Sequence, residues 1–199
     1  MAHVRLAAYA AFLFILVLGG IATPGLTARH GPMDPAAAVT WPPSASLLVA
    51  EVVTGGVSAS DEYVELTNAG SSAVDLAGLE VAYATSSGST VTRKAAWTAS
   101  LVLQPGAHLL VANALGIYAV AADATYSGGL AATGGAMVLR PTGGTTLDAV
   151  GWGDASSAFV EGAAAPAPAT GRSIERRPGG AAGSTIDTND TAADFAVNA

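Results

Sequence analysis

Two groups of acidic side chains are the residues of this chain best suited to do chemistry. The first group lies on two early predicted strands and comprises Glu51, Asp61, Glu62 and Glu65. Two carboxylates at a suitable separation can act as general acid and base, and with a bound metal they can hydrolyse a bond. We favour a structural role, in which Glu51 and Glu65 project from a sheet face and pair with Arg176. The same three side chains are candidate binding residues.

The second group is the oxygen-rich tail formed by Asp187, Asn189, Asp190 and Asp194. Calcium prefers about six to eight oxygen ligands, and Asp and Asn at closely spaced positions can supply several of them. The segment lacks the glycine and the closing glutamate of an EF-hand, and Asp and Asn also cap turns through local backbone hydrogen bonds. Turn capping is the favoured interpretation, and a calcium site is the alternative. No other cofactor is expected. Phe195 is predicted to dock this tail on the core.

Cysteine, histidine and a serine in a nucleophile motif, which other kinds of catalytic site require, are rare or absent in this sequence. The chain has no cysteine, which excludes disulfides, cysteine-ligated zinc and thiol nucleophiles. His108 is the only histidine in the predicted domain and is expected to be a half-exposed strand residue, and no Gly-x-Ser-x-Gly motif is present. We therefore predict no catalytic residues and no enzyme activity. Trp152 is the candidate binding aromatic, although core packing is its favoured role.

The balance of charge bears on the partners. The formal net charge is −7, and loss of Arg5 with an export segment would make it −8. Proteins that bind nucleic acid usually present a basic patch to the phosphates. Basic residues are sparse here, so nucleic acid is not expected as a partner. The heavy use of Ala, Gly, Val and Pro is typical of a GC-rich bacterial genome.

The first 28 residues have the three-part build of a secretory signal peptide. A short basic start precedes the unbroken apolar run Leu6–Leu18, and small residues at Ala22 and Ala28 offer cleavage sites. The run is shorter than the roughly 20 residues of a membrane-spanning helix, so we expect no span after cleavage, with an uncleaved anchor as the alternative. Residues 29–45 are rich in proline and are predicted to be a linker. The product is expected to be secreted or held at the cell surface.

From residue 46 to residue 199 the pattern is one of short apolar runs separated by turn residues. Alternating or β-branched segments recur every eight to twelve residues, with glycine, proline, serine and asparagine between them. Seven or eight short strands of this kind predict an all-β sandwich in a single domain. Residues 114–124 have the only helix-like composition and are predicted to form one short helical turn.

Several segments, taken in order, resemble the lamin tail domain in its bacterial secreted form. The segment from Val49 to Ala84 carries a Glu-bearing strand, the sequence DEYVELTN, and the turn VDLAGLEV, in which Leu79 stands where the family usually has Trp. The further matching segments are LQPGAHLLV at 103–111, GAMVLR at 135–140, LDAVGWG at 147–153, SIER at 173–176 and DTNDTAADF at 187–195. The resemblance implies an immunoglobulin-like β-sandwich without intrinsic enzymatic activity, typically extracellular in bacteria.

The sequence thus predicts a non-catalytic extracellular interaction or structural module that binds a protein or a surface polysaccharide. The alternative is a metal-assisted hydrolase or nuclease accessory that uses the first acidic group. The two differ in one geometric respect, namely whether Glu51, Asp61, Glu62 and Glu65 converge in an open pocket or point apart.

Overall fold

The computed structural model describes residues 39–198. The signal peptide predicted over residues 1–28 and the linker as far as residue 38 lie outside the described residues. Within the described part, no helix is long and apolar enough to cross a membrane.

Residues 39–198 form twelve strands, and seven of these have six or more residues. This count of long strands agrees with the seven or eight predicted, because the additional strands are pairings of two to four residues that have no sequence period of their own. The strands are β1 (Leu47–Thr54), β2 (Glu62–Asn68), β3 (Val74–Asp75), β4 (Leu79–Thr85), β5 (Val91–Ala96), β6 (Val102–Leu103), β7 (His108–Asn113), β8 (Ala124–Tyr126), β9 (Gly134–Pro141), β10 (Asp148–Gly153), β11 (Ser173–Arg176) and β12 (Phe195–Asn198).

Among residues 39–198, helical structure is confined to three short turns. The predicted turn within residues 114–124 is a 3-10 helix over Ile117–Val120, and a second one covers Gly180–Ala182. The single α-helical turn, α1, spans Thr191–Asp194, and the Asp190 carboxylate caps it by accepting from the Ala193 amide.

Two sheets pack face to face as an immunoglobulin-like β-sandwich, as predicted. The first has the strand order β12-β11-β1-β2-β7-β8, and the second has the order β10-β9-β4-β5. β3 and β6 form a separate two-stranded ribbon. Alternation along the strands decides which side chains enter the core: on β2, Val64 and Leu66 are buried, while Tyr63 and Glu65, which alternate with them, face outward.

An irregularity in β1 sets the direction of its side chains. The register with β2 shifts between Val49 and Glu51, which indicates a β-bulge. The four residues before Glu51 are all buried, and Glu51 itself turns outward. As a result, the backbone of Val49 binds two side chains from other strands. Its N–H donates to Asp148 on β10, and its C=O accepts from Arg176 on β11.

The chain before β1 and the chain after β11 also belong to the domain. Trp41 packs with Phe159 on the outer face of the second sheet, over Ala84, Ala136 and Ala149. The boundary predicted at residue 46 is therefore too late, because an apolar patch outside the second sheet needs the Trp41 ring as cover. At the other end Phe195 is buried beneath the Arg176 guanidinium, whose carbon lies 4.6 Å from the ring centroid. The predicted docking of the tail on the core is confirmed.

Candidate functional site

A buried ion pair joins the two sheets at one end of the sandwich. Asp148 begins β10 and Arg176 ends β11, and both side chains are fully buried. Arg176 Nη2 donates to both oxygens of Asp148, at 2.7 and 2.9 Å, and its Nε donates to the Val49 carbonyl at 2.8 Å. Nη1 donates to the carbonyl of Ile186, which ties the tail to the same point. The guanidinium is therefore a structural clamp with no face open to solvent.

Two further carboxylates complete what we call the buried acid cluster, Asp148, Glu161 and Asp187. One oxygen from each lies within 4.8 Å of one oxygen from each of the others. Glu161 Oε1 accepts from Trp41 Nε1 at 2.8 Å and from the Ala149 amide at 3.1 Å. Burial, followed by the charge of Asp148, raises the pKa of Glu161 to about 8. Burial likewise raises the pKa of Asp148 to about 7, against the opposing attraction of Arg176.

Three buried oxygens at this end have no hydrogen-bond partner: Glu161 Oε2, Asn189 Oδ1 and Thr191 Oγ1. They are the only such side-chain atoms found among residues 39–198. Native structures pair the great majority of their buried polar atoms, so three unpaired acceptors concentrated in one region require an explanation.

The structure divides the four residues predicted as calcium ligands. Asp187 belongs to the buried acid cluster, and Asn189 lies beside it, since the Asn189 amide donates to Asp187 Oδ1 at 3.0 Å. Asp190 instead caps α1. Asp194 accepts from the amide and the hydroxyl of Thr188, at 2.7 and 2.8 Å, and lies 3.8 Å from Arg176 Nη1. Turn capping and ion pairing thus account for Asp190 and Asp194.

The predicted pairing of Arg176 with Glu51 and Glu65 is wrong. Arg176 points into the sandwich, whereas Glu51 and Glu65 lie opposite each other on the outer face of the first sheet. Alternation along a strand separates them, because Glu175 takes the outward position of β11 that faces Glu51. Glu65 instead contacts the His108 ring on the neighbouring strand.

The first acidic group does not converge in one pocket. Asp61 accepts from the amides of Ser58 and Ile117, at 2.8 and 3.1 Å, and holds two loops together. Glu62 is buried on the inner side of β2, while Glu51 and Glu65 face outward. The geometry required by the hydrolase alternative is therefore not met by these four residues.

Trp152 is a core residue. It is fully buried, its Nε1 donates to the Ala131 carbonyl at 3.0 Å, and its ring stacks on that of Tyr83 at 6.0 Å between centroids. The sequence offered Trp152 and Arg176 as candidate binding residues. Both are fully enclosed by the protein, so neither presents a surface to a partner. The physical reason is the same for both, since each occupies an inward position on its strand.

With the fold and the acid cluster described, comparison with known families is informative. The sequence model of the Lamin Tail Domain matches residues 41–154, which is more than half of the chain. The chain belongs to the lamin tail domain family. This is a family of immunoglobulin-like domains that generally serve as non-catalytic interaction modules. No curated protein matches the chain.

The loops of this lamin tail domain carry an exposed apolar surface at one end of the sandwich. The apolar loop cluster, as we call it, consists of Val57, Leu115, Ile117 and Val120, whose exposed fractions range from 66% to 107%. Asp61 holds the two loops together, and a Cβ on Gly116 would meet the Ser60 carbonyl oxygen at 1.9 Å. A contact this close leaves no room for a side chain, so the two loops pack backbone against backbone at Gly116.

An open cleft of about 440 Å³ adjoins this cluster. Leu115 lines it together with Glu62, Asn113, Gly129 and Leu130. Glu62 lies at the inner end with both oxygens occupied, because Oε1 accepts from the Leu130 amide at 2.7 Å and Oε2 from Asn113 Nδ2 at 2.9 Å. The carboxylate of Glu62 is therefore already satisfied by the protein, and the open surface of the cleft is mainly apolar.

Two parts of these sites were missed from the sequence. Asp148 alternates with Val150 and Trp152 along β10, so all three side chains point to the same side of the strand. The alternation therefore placed an acid at a core position, and this signal could have been noticed. Glu161 lies in an Ala- and Pro-rich loop that has no period, and no local pattern signals its burial. The lamin tail domain match ends at residue 154, so Glu161 and the tail lie beyond the matched segment.

Proposed function

We propose that this lamin tail domain is a bacterial, extracytoplasmic and non-catalytic module that binds a protein partner through the apolar loop cluster. The observation that carries the proposal is the exposure of four aliphatic side chains on two interlocked loops at one end of the sandwich. Isolated exposed aliphatics are common, but a group of them on adjoining loops is typical of an interaction surface. Burying such side chains against a partner removes apolar area from water without further ordering of the loops.

A protein partner fits this surface better than a polysaccharide does. Sugar-binding surfaces use exposed aromatic rings on which the apolar face of a sugar stacks. Here Trp152 is buried, and Trp41 and Trp97 are only partly exposed and pack on the domain itself. The four exposed side chains of the cluster are aliphatic, which suits contact with apolar protein side chains, and the neighbouring Tyr118 ring packs edge-on against Tyr63 at 4.8 Å between centroids. The net charge of −7 disfavours nucleic acid.

Three further observations support the proposal. The family is generally non-catalytic, and the four acids considered for hydrolysis point apart in the structure. The first 28 residues have the build of an export signal, which supports a location outside the cytoplasm. The composition is typical of a GC-rich bacterial genome.

The test is a crosslinking pull-down from cell-surface extract, using the full chain after export by its own leader. The loop variant Leu115→Ser/Ile117→Ser/Val120→Ser removes most of the apolar loop cluster. The matched control Leu147→Ser/Ile186→Ser/Val197→Ser removes the same three residue types from partly exposed positions elsewhere. We expect the loop variant to bind a specific protein partner at least about tenfold more weakly than the wild type, which corresponds to ~1.4 kcal/mol. The control should bind that partner as the wild type does.

Three outcomes would contradict the proposal. Equal capture by the loop variant and the wild type would show that the apolar loop cluster is not the binding surface. Retention of binding by extract treated with protease would indicate a polysaccharide. Accumulation of the full chain in the cytoplasm would contradict the location.

A further inference from the structure

We propose that the buried acid cluster is a structural calcium site, with Asp148, Glu161 and Asp187 as carboxylate ligands and with Asn189 Oδ1 and Thr191 Oγ1 as neutral ones. The site lies apart from the apolar loop cluster, and the proposal does not depend on how the domain binds its partner. Its basis is the spacing of the three carboxylates together with the unpaired oxygens around them.

The first consideration is charge. Arg176 is the basic group paired with this cluster, and it faces the carboxylates of Asp148, Asp187 and Asp194, while Glu161 adds a fourth. Full ionisation of these four carboxyl groups against one guanidinium would leave three negative charges without a basic partner. Buried carboxylates without compensation are costly, and a divalent cation would offset two of the three.

The second consideration is the three unpaired oxygens. Glu161 Oε2 belongs to a side chain with no exposed surface, and its carboxylate is one of the three within 4.8 Å. Thr191 is equally buried, and its amide donates to the Glu161 carbonyl at 2.8 Å. The backbone N–H of Asn189 donates a hydrogen bond to Asp187 Oδ1. Each unpaired oxygen thus belongs to a cluster residue or to one bonded to it, and each has a lone pair to give to a cation.

The donor set selects the kind of ion. All five ligand atoms are oxygens, which suits a hard cation and disfavours zinc, which takes nitrogen and sulfur. Oxygens bound to calcium at 2.3–2.6 Å can lie up to about 5 Å apart across the ion, which accommodates three carboxylate oxygens within 4.8 Å of one another. Magnesium keeps most of its water, and the burial of this cluster leaves little room for water. Calcium fits both the spacing and the burial.

The site would join four separate segments of the chain. Ser44 and Trp41, which precede β1, bind Asp187 and Asn189, since the Ser44 amide donates to Asp187 Oδ2 and Asn189 Nδ2 donates to the Trp41 carbonyl. Asp148 belongs to β10, Glu161 to the loop that follows it, and Asp187 to the tail. A bound ion would hold the N-terminal segment, the loop and the tail together where no disulfide is available.

The experiment uses the full chain after treatment with a chelator, titrated with CaCl2 in a calorimeter and with terbium in a fluorimeter. The Trp41 indole donates to Glu161, so it is placed to sensitise luminescence from terbium bound at this site. The test variant is Glu161→Gln, and Glu51→Gln is the matched control from the outer sheet face. Asp187→Asn is a second test variant that keeps the proposal testable if Glu161→Gln does not fold.

We expect one calcium per chain, a higher melting temperature with calcium, and sensitised terbium emission. Glu161→Gln and Asp187→Asn should weaken binding about tenfold or more, because affinity follows the charge and number of the ligands. Glu51→Gln should bind as the wild type does. The absence of calcium binding, or equal binding by the test variants, would overturn the proposal. Tighter binding of magnesium than of calcium would overturn the choice of ion.

Discussion

Two buried glutamates of this lamin tail domain have the same exposure and opposite surroundings. Glu62 and Glu161 are both almost completely inaccessible to solvent. Both oxygens of Glu62 accept hydrogen bonds, and the charge of Lys94 acts on it. Glu161 shares one oxygen between Trp41 and Ala149, and its other oxygen has no partner. Burial by itself therefore does not mark a ligand site, and the informative quantity is what the protein leaves unpaired.

Glu80 extends the comparison. It is also buried, and it accepts from Arg93 Nε at 2.7 Å and from Arg140 Nε at 2.8 Å. Burial opposes its ionisation, but the hydrogen bonds from the two arginines outweigh burial and lower the pKa of Glu80. Glu62 and Glu80 are thus completed by the protein, and the cluster around Glu161 is the one of these three acidic regions that is left open.

Arg176→Met is expected to have the largest effect. It leaves Asp148, Asp187 and Asp194 without their guanidinium and leaves the Val49 and Ile186 carbonyls without their donor. Breaking a buried ion pair from one side costs about 3–5 kcal/mol. Urea unfolding in the presence of chelator measures the change in the free energy of unfolding. Arg172→Met, at an exposed position, is the control. A loss no larger than that of the control would contradict the clamp described for Arg176.

Glu62→Gln is expected to destabilise the domain by about 1–3 kcal/mol. The new amide would place a donor against Asn113 Nδ2 or against the Leu130 amide, both of which already donate to this side chain. The same measurement in chelator applies. A neutral result would mean that the hydrogen bonds of Glu62 contribute little, and the contrast with Glu161 would lose its basis.

Glu161→Gln is expected to have the opposite sign, a stabilisation of at least about 1 kcal/mol in chelator near pH 9, which is the free energy of about one pKa unit. The pKa of Glu161 is raised in the folded state to about 8, so its contribution is fully present below its ordinary value near 4.5. That contribution is lost as the pH rises through 8. The wild type should therefore lose stability between pH 5 and pH 9 relative to the variant.

Unfolding free energies of both proteins at pH 5, 7 and 9 check this prediction. Calcium should reduce the loss in the wild type, and at the same concentration it should stabilise the variant less than the wild type. Parallel pH profiles of the two proteins in chelator would show that Glu161 is not the titrating group.

Much of the fold followed from local pattern. The alternation on β2 and the turn residues between the strands predicted the sandwich, and the ordered segments predicted the family that the comparison then identified. The very short strands escaped prediction because two or three residues have no period to detect. The boundary at Trp41 escaped as well, because the ring is held by Glu161, 120 positions away, and by alanines of the second sheet.

The site was less predictable than the fold. Asp187 and Asn189 were recognised by their oxygens, but the proposed carboxylate partners come from β10 and the following loop. The pairing of Arg176 was assigned to the wrong acids. Glu51 lies on the strand next to β11 but faces outward, whereas Asp148 reaches Arg176 from the opposite sheet. The apolar loop cluster was not predicted, because four aliphatic residues in loops look the same in sequence whether they are covered or exposed.

By itself the sequence determined that this chain forms an all-β sandwich of the lamin tail type without cysteine. It did so because strand alternation and turn chemistry act between near neighbours. The tertiary structure alone decided which buried acids are paired and which are not. That outcome depends on the direction of side chains from segments far apart in the chain, and on the low dielectric of the interior, where an unpaired carboxylate is costly.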